Sequence, residues 1–145
     1  MLSLENAPAI HLGDSETQVR DALKTHAPLY PTPFSAGRST LKAGEGLFVD
    51  FSGGKVVEID VTSKSQGVHL GAIALGTDTA TARTTLGIPD VSASGVYTIT
   101  AQGGEIVELR SGASQRVDVI AIVGDRSHLQ KSSKTTRITL QNTGR

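Results

Sequence analysis

Apolar and polar positions alternate through the middle of the chain. Leu47, Val49 and Phe51 alternate with Phe48 and Asp50, and Val57, Ile59 and Val61 alternate with Glu58 and Asp60. A period of two marks β-strands with one face turned to a core. Setting Val49 opposite Val57 leaves Ser52-Gly53-Gly54 as a hairpin loop, where glycine takes a left-handed conformation at little cost. A second hairpin follows. Tyr97 and Ile99 align with Val107 and Leu109, and Gln102-Gly103-Gly104 closes the loop. Val117 to Val123 reads as a further strand, and Thr136 to Leu140 as a last one, within about residues 135–141.

The pattern changes to a helical period twice. Val19, Ala22 and Leu23 form one apolar stripe after the capping candidates Asp14 and Ser15, and Pro28 follows the fading end near His26. Ala82 and Leu86 lie on one face after Thr77 and Asp78, with Gly87 and Pro89 as stop signals. Leu12-Gly13, Arg20 and Leu23 precede the first hairpin; Leu75-Gly76, Arg83 and Leu86 precede the second. This correspondence predicts an α+β fold: two helix-plus-β-hairpin repeats forming one antiparallel sheet with helices on one face. The whole of 1–145 reads as a single domain. Repeat one runs over about 10–70 and repeat two over about 73–123. Between helix and hairpin the first copy carries an insert, roughly residues 24–45, read as a long loop.

Composition narrows the function classes. The chain has three Phe, two Tyr and no Trp, so the core must rest on aliphatic side chains. Fourteen basic residues balance fourteen acidic ones, which gives no general attraction to nucleic acid or anionic lipid. No Cys is present, which excludes disulfides and thiolate metal sites. Residues 1–10 lack a basic flank and a long apolar run, so no leader or membrane span is expected and the expected location is cytoplasmic.

Catalytic signatures are absent. Gly53-Gly54-Lys55 is followed by Val56, which fails as a phosphate loop. His11, His26, His69 and His128 are scattered without metal-type spacing. No metal, cofactor or enzymatic activity is expected. Asp50, Glu58 and Asp60 share the outer face of the first hairpin with Phe48. An aromatic ringed by acids suits an interface anchor with electrostatic steering toward a basic partner; a solvated strand face is the plainer reading. Tyr30 and Phe34, in the insert, could extend that surface or pin the loop to the core.

The strings LGDSETQVRDAL and GLFVDFSGGKVVEIDV, with the layout of helix then hairpin repeated once, resemble β-lactamase-inhibitory-protein-like folds and small bacterial immunity proteins. The resemblance spans about residues 10–123 and rests on structural motifs. It implies a sheet whose outer face holds another protein. The expected function is a non-enzymatic immunity or inhibitor protein that blocks a cognate bacterial toxin or enzyme, with a basic toxin domain as the expected protein partner. Phe48, Asp50, Glu58, Asp60, Tyr30 and Phe34 are its candidate partner-binding residues, and the uncomplexed protein would be a monomer or homodimer. The alternative is a structural or assembly module that self-associates or pairs through a sheet edge.

Overall fold

A computed structural model describes residues 2–33, 35–87, 95–124 and 137–140. The fold is mixed α+β, with two helices and a large, mostly antiparallel sheet. Strands β1 (Leu4–Glu5), β2 (Leu29–Pro31), β3 (Arg38–Lys42), β4 (Leu47–Ser52), β5 (Lys55–Val61), β6 (His69–Leu70), β7 (Ile73–Ala74), β8 (Gly95–Thr100), β9 (Ile106–Ser111), β10 (Val117–Val123) and β11 (Arg137–Leu140) follow in chain order. Helix α1 spans Glu16–Leu23 and α2 spans Thr79–Leu86. The main sheet runs β11-β8-β9-β10-β5-β4-β3-β2. Its pairs are antiparallel except β11 with β8, which is parallel.

The expectation of one sheet is corrected: β1, β6 and β7 form a separate three-stranded sheet. The expectation of a loop over 24–45 is corrected too. That stretch supplies β2 and β3, which extend the main sheet beyond β4. The sequence signal there is weak because β2 has only three residues and ends in Pro31. A proline on an outer strand is tolerated because no ladder donor is lost toward a neighbour.

Helix α1 begins where the sequence places it. Ser15 accepts from the Gln18 backbone N–H at 3.2 Å, and the Gln18 side chain accepts from the Ser15 N–H at 2.8 Å. This reciprocal pair satisfies two donors that a helix start otherwise leaves unmet. Lys24 ends the helix in a left-handed conformation. Arg20 donates to Glu16 at 2.8 Å and to the Ala27 carbonyl at 2.7 Å, which ties the chain leaving the helix back onto it. In α2 the Thr84 and Thr85 hydroxyls donate to the carbonyls of Ala80 and Thr81. Its threonines are intrinsically poor helix formers, so tertiary packing of Ala82 and Thr79 must hold it.

The register of the two hairpins separates what alternation can and cannot fix. Tyr97 pairs Leu109 and Ile99 pairs Val107, as the alternation predicts, and the Ala101 N–H closes on the Glu105 carbonyl at 2.8 Å. In the first hairpin Val49 pairs Ile59, not Val57. A bulge at Val57 shifts the ladder, Phe51 pairs Val56, and the turn contracts to Gly53-Gly54, both at positive φ. A two-residue turn of this kind needs left-handed residues at both centres.

Both helices dock on a hairpin through similar bonds. Gly13 N–H donates to the Val56 carbonyl at 2.8 Å, and Val56 N–H to the Asp14 carbonyl at 2.9 Å. Gly76 N–H donates to the Val117 carbonyl at 2.8 Å, and Val117 N–H to the Thr77 carbonyl at 2.9 Å. Ser15 bridges Lys55, and Asp78 bridges Arg116. The hairpin that meets α2 in this way is therefore β9–β10. The β5 bulge at Val57 has a counterpart in β10, where the ladder slips between Val117 and Val119.

One apolar cluster holds the inward positions of the main sheet. It includes Leu41, Val49, Phe51, Ile59, Val61, Tyr97, Ile99, Val107, Leu109 and Ile120, together with Val19 of α1 and Ala82 of α2. Each large aliphatic side chain fully buried there contributes roughly 1.5–3 kcal/mol.

Candidate functional site

The opposite face of the sheet is polar, and alternation puts it there. Because Leu47, Val49, Ile59 and Val61 turn inward, Phe48, Asp50, Glu58 and Asp60 turn the other way. Phe48 pairs Asp60 directly, and Asp50 pairs Glu58. Setting Val49 opposite Val57 puts Phe48 opposite Glu58; the shorter turn and the Val57 bulge each add one residue, which moves the partner to Asp60. On β9, Val107 and Leu109 turn inward, so Glu108 and Arg110 join the same polar face.

Strand order brings these residues together. β10 lies between β5 and β9, and Ala121 pairs with both Asp60 and Glu108. The short Ala121 side chain leaves room above it. Arg110 spans that gap. Its Nη2 donates to Glu108 at 2.7 Å and to Glu58 at 3.1 Å, and its Nε donates to Glu108 at 3.0 Å. Nη1 lies 3.8 Å from Asp60 Oδ1, an ion pair beyond hydrogen-bond length. The carboxylates of Glu58 and Glu108 are only 7% and 5% exposed, so they need this cation.

Burial and charge shape the site. Asp60 is pushed up from 3.8 to about 8, first by desolvation, then by a hydrogen bond with Glu58 and the Glu58 charge; Arg110 opposes the shift and Asp50 adds to it. Asp60 Oδ1 is buried without a hydrogen-bond partner. For Arg110 burial pulls downward, but the Glu108 hydrogen bond and the charges of Glu58, Asp60 and Glu108 outweigh it, so its pKa is raised. The Thr40 hydroxyl donates to Asp50 Oδ1 at 2.8 Å. Oxygens of Asp50, Glu58 and Asp60 lie within 4.8 Å of one another, a spacing a hard divalent cation could bridge.

No protein-family profile, no curated protein and no solved structure matches this chain.

Of the candidate residues, Phe48, Asp50, Glu58 and Asp60 share one face. Tyr30, paired with Thr40 at the β2 edge, stands on the same face and is 60% exposed. Phe34 lies outside the described residues. Glu58 is buried and not open to solvent, while Phe48, Asp50 and Asp60 are half-buried. Lys42 places its ammonium 5.9 Å from the Phe48 ring centre, a cation–π distance. The residues missed from sequence are Glu108 and Arg110. Their alternation with Val107 and Leu109 already put them outward; the missing information was that β10 brings β9 beside β5.

A cleft of about 460 Å³ lies elsewhere, lined by Ile10, His11, Glu105, Ile106, Ile122 and Gly124 among others. It shares no residue with the acid cluster. His69 is half-buried, with Nδ1 2.8 Å from the Gly71 carbonyl. Among the described residues, no helix is long and apolar enough to cross a membrane.

Proposed function

We propose that this is a non-enzymatic protein-binding domain of immunity or inhibitor type, which receives a basic partner on the polar sheet face. The observation that carries the reading is the charge balance of the cluster. Asp50, Glu58, Asp60 and Glu108 gather around Arg110. Arg110 is committed to Glu58 and Glu108, which leaves Asp50 and Asp60 as the half-buried acids a partner's cation can meet. Phe48 and the exposed Tyr30 flank them on the same face and supply apolar contact area. An aromatic beside partly desolvated carboxylates is the chemistry of an interface anchor.

The test is paired capture with wild-type protein and Asp50→Lys from lysate of the source cells. The reading expects a stoichiometric basic protein on the wild type, and its loss on the variant. Equal retention on both would remove the polar face from the interface.

Internal duplication, with both helices on the apolar face, belongs to the same reading. The matched bonds from Gly13 and Gly76, the bridges Ser15–Lys55 and Asp78–Arg116, and the two ladder slips support it. They favour β4–β5 and β9–β10 as the corresponding hairpins, in place of the Gly103-Gly104 hairpin, β8–β9, that the sequence pattern pairs with β4–β5. The burial of Val19 and Ala82 in one cluster supports a common helical face.

A second reading is self-association through a sheet edge. The exposure of Tyr30 on the outer strand β2 favours it, and Pro31 opposes it. Sedimentation at a multiple of 15.1 kDa, abolished by Tyr30→Lys, would support this alternative.

A further inference from the structure

We propose that Asp60 and Glu58 hold one proton between them at neutral pH, and that its loss is the switch that charges the polar face for a cationic partner. This regulation rests on the partner reading above.

The crowding of the carboxyl groups makes full ionisation costly. Three carboxyl groups have oxygens within 4.8 Å of one another on a half-buried surface. Like charges that close do not all ionise in partial burial. Among the described residues the guanidinium beside them, Arg110, is engaged elsewhere. Arg110 makes its short contacts to Glu108 and Glu58, and reaches Asp60 only at 3.8 Å. Asp60 Oδ1 has neither water access nor a hydrogen-bond donor, so an ionised carboxylate is poorly served there. Asp50 differs, because its Oδ1 accepts from the Thr40 hydroxyl at 2.8 Å. The proton therefore resides on Asp60 and is offered to Glu58. The raised titration of Asp60 agrees with this placement.

The neighbours of Asp60 on this face are accounted for strand by strand. β4 brings Asp50 and the Phe48 ring, β5 brings Glu58, and β9 brings Glu108 and Arg110. β10 contributes Ala121, which does not titrate. β3 places Lys42 over Phe48, one residue further out. Among the described residues, no second cation stands beside Asp60. As the pH rises past neutrality the face gains one negative charge, next to the half-buried Phe48. A docking guanidinium or ammonium would stabilise that charge, so binding of a cation and release of the proton are linked.

The experiment uses carboxyl-carbon NMR of the full chain, titrated with pH, on the wild type, Asp60→Asn and Glu58→Gln. The expected result is one aspartate with a midpoint above neutrality, lost in Asp60→Asn and lowered in Glu58→Gln. Ordinary midpoints for every aspartate would overturn the proposal. Binding of a hexa-arginine peptide at low salt is then compared at about pH 6.5 and about pH 9, conditions on either side of the switch. Affinity should rise several-fold in the wild type and stay level in Asp60→Asn. A high midpoint with level binding would overturn the link between proton and partner. No binding at either pH, with the high midpoint present, would overturn the partner reading and leave the proton in place. Binding at both pH values without a high midpoint would overturn the switch alone.

Discussion

Arg110 reaches Glu58 at 3.1 Å although a whole strand, β10, lies between their own. The contact is possible because the residue beneath the guanidinium is Ala121. A branched side chain there would meet Arg110 and lift it from the carboxylates. Ala121→Val should therefore destabilise the fold by more than the usual 1–3 kcal/mol of overpacking, measured by urea unfolding. If Ala121→Val costs no more than that, Arg110 does not depend on the gap.

Removing the guanidinium takes from two buried acids the cation they share. Arg110→Met should cost about 3–5 kcal/mol, the scale for breaking a buried ion pair from one side. The triple variant Arg110→Met, Glu58→Gln, Glu108→Gln should recover much of that loss. Failure of the triple variant to recover would mean that Arg110 acts through packing, not charge. Thermal and urea unfolding at neutral pH would separate these outcomes.

Stability should depend on pH through Asp60. Its folded-state titration lies at about 8, against 3.8 as the ordinary value. The folded state therefore binds more protons than the unfolded state between those limits, and stability falls as pH rises through that window. Asp60→Asn should match the wild type below about pH 3.8, exceed it by a margin that grows up to about pH 8, and keep that margin above it. A wild type that gains stability relative to Asp60→Asn as pH rises would contradict the assignment.

Much of this site was legible in sequence, and the limits have physical causes. Alternation correctly put Phe48, Asp50, Glu58 and Asp60 on one face. It misplaced their partners by one pair because a bulge at Val57 leaves no local mark in the residues. The second hairpin carries no bulge, and its pairing of Tyr97 with Leu109 follows from alternation and loop alone. The β2–β3 pair escaped because three residues ending in proline do not display a period. Arg110 escaped because its role depends on strand order, which is a long-range property.

Gly46 makes a further test of backbone demand. It sits at φ 70°, and a Cβ there would lie 2.6 Å from the Ser63 backbone nitrogen and 2.9 Å from its Cα. Backbone atoms cannot rotate away. Gly46→Ala should destabilise by more than about 1 kcal/mol, since both the conformation and the space are incompatible. Gly44, also at positive φ but with open space around it, should lose less when changed to Ala. Equal losses in the two variants, compared by thermal unfolding, would show that contact with Ser63 adds nothing.

The pairing of Ile59 with Ile122 has a kinetic consequence. Strands β3 to β5 meet through short connections, and so do β8 to β10, whereas the β5–β10 seam joins segments far apart along the chain. Closing that seam carries the largest loop entropy in the main sheet. Each three-stranded block can assemble on its own timescale, and the rate of reaching the native state is then governed by the encounter of the two blocks. Truncation inside either block, already formed at that encounter, should chiefly slow refolding, while the part of the Ile59–Ile122 contact made after the encounter should show as faster unfolding.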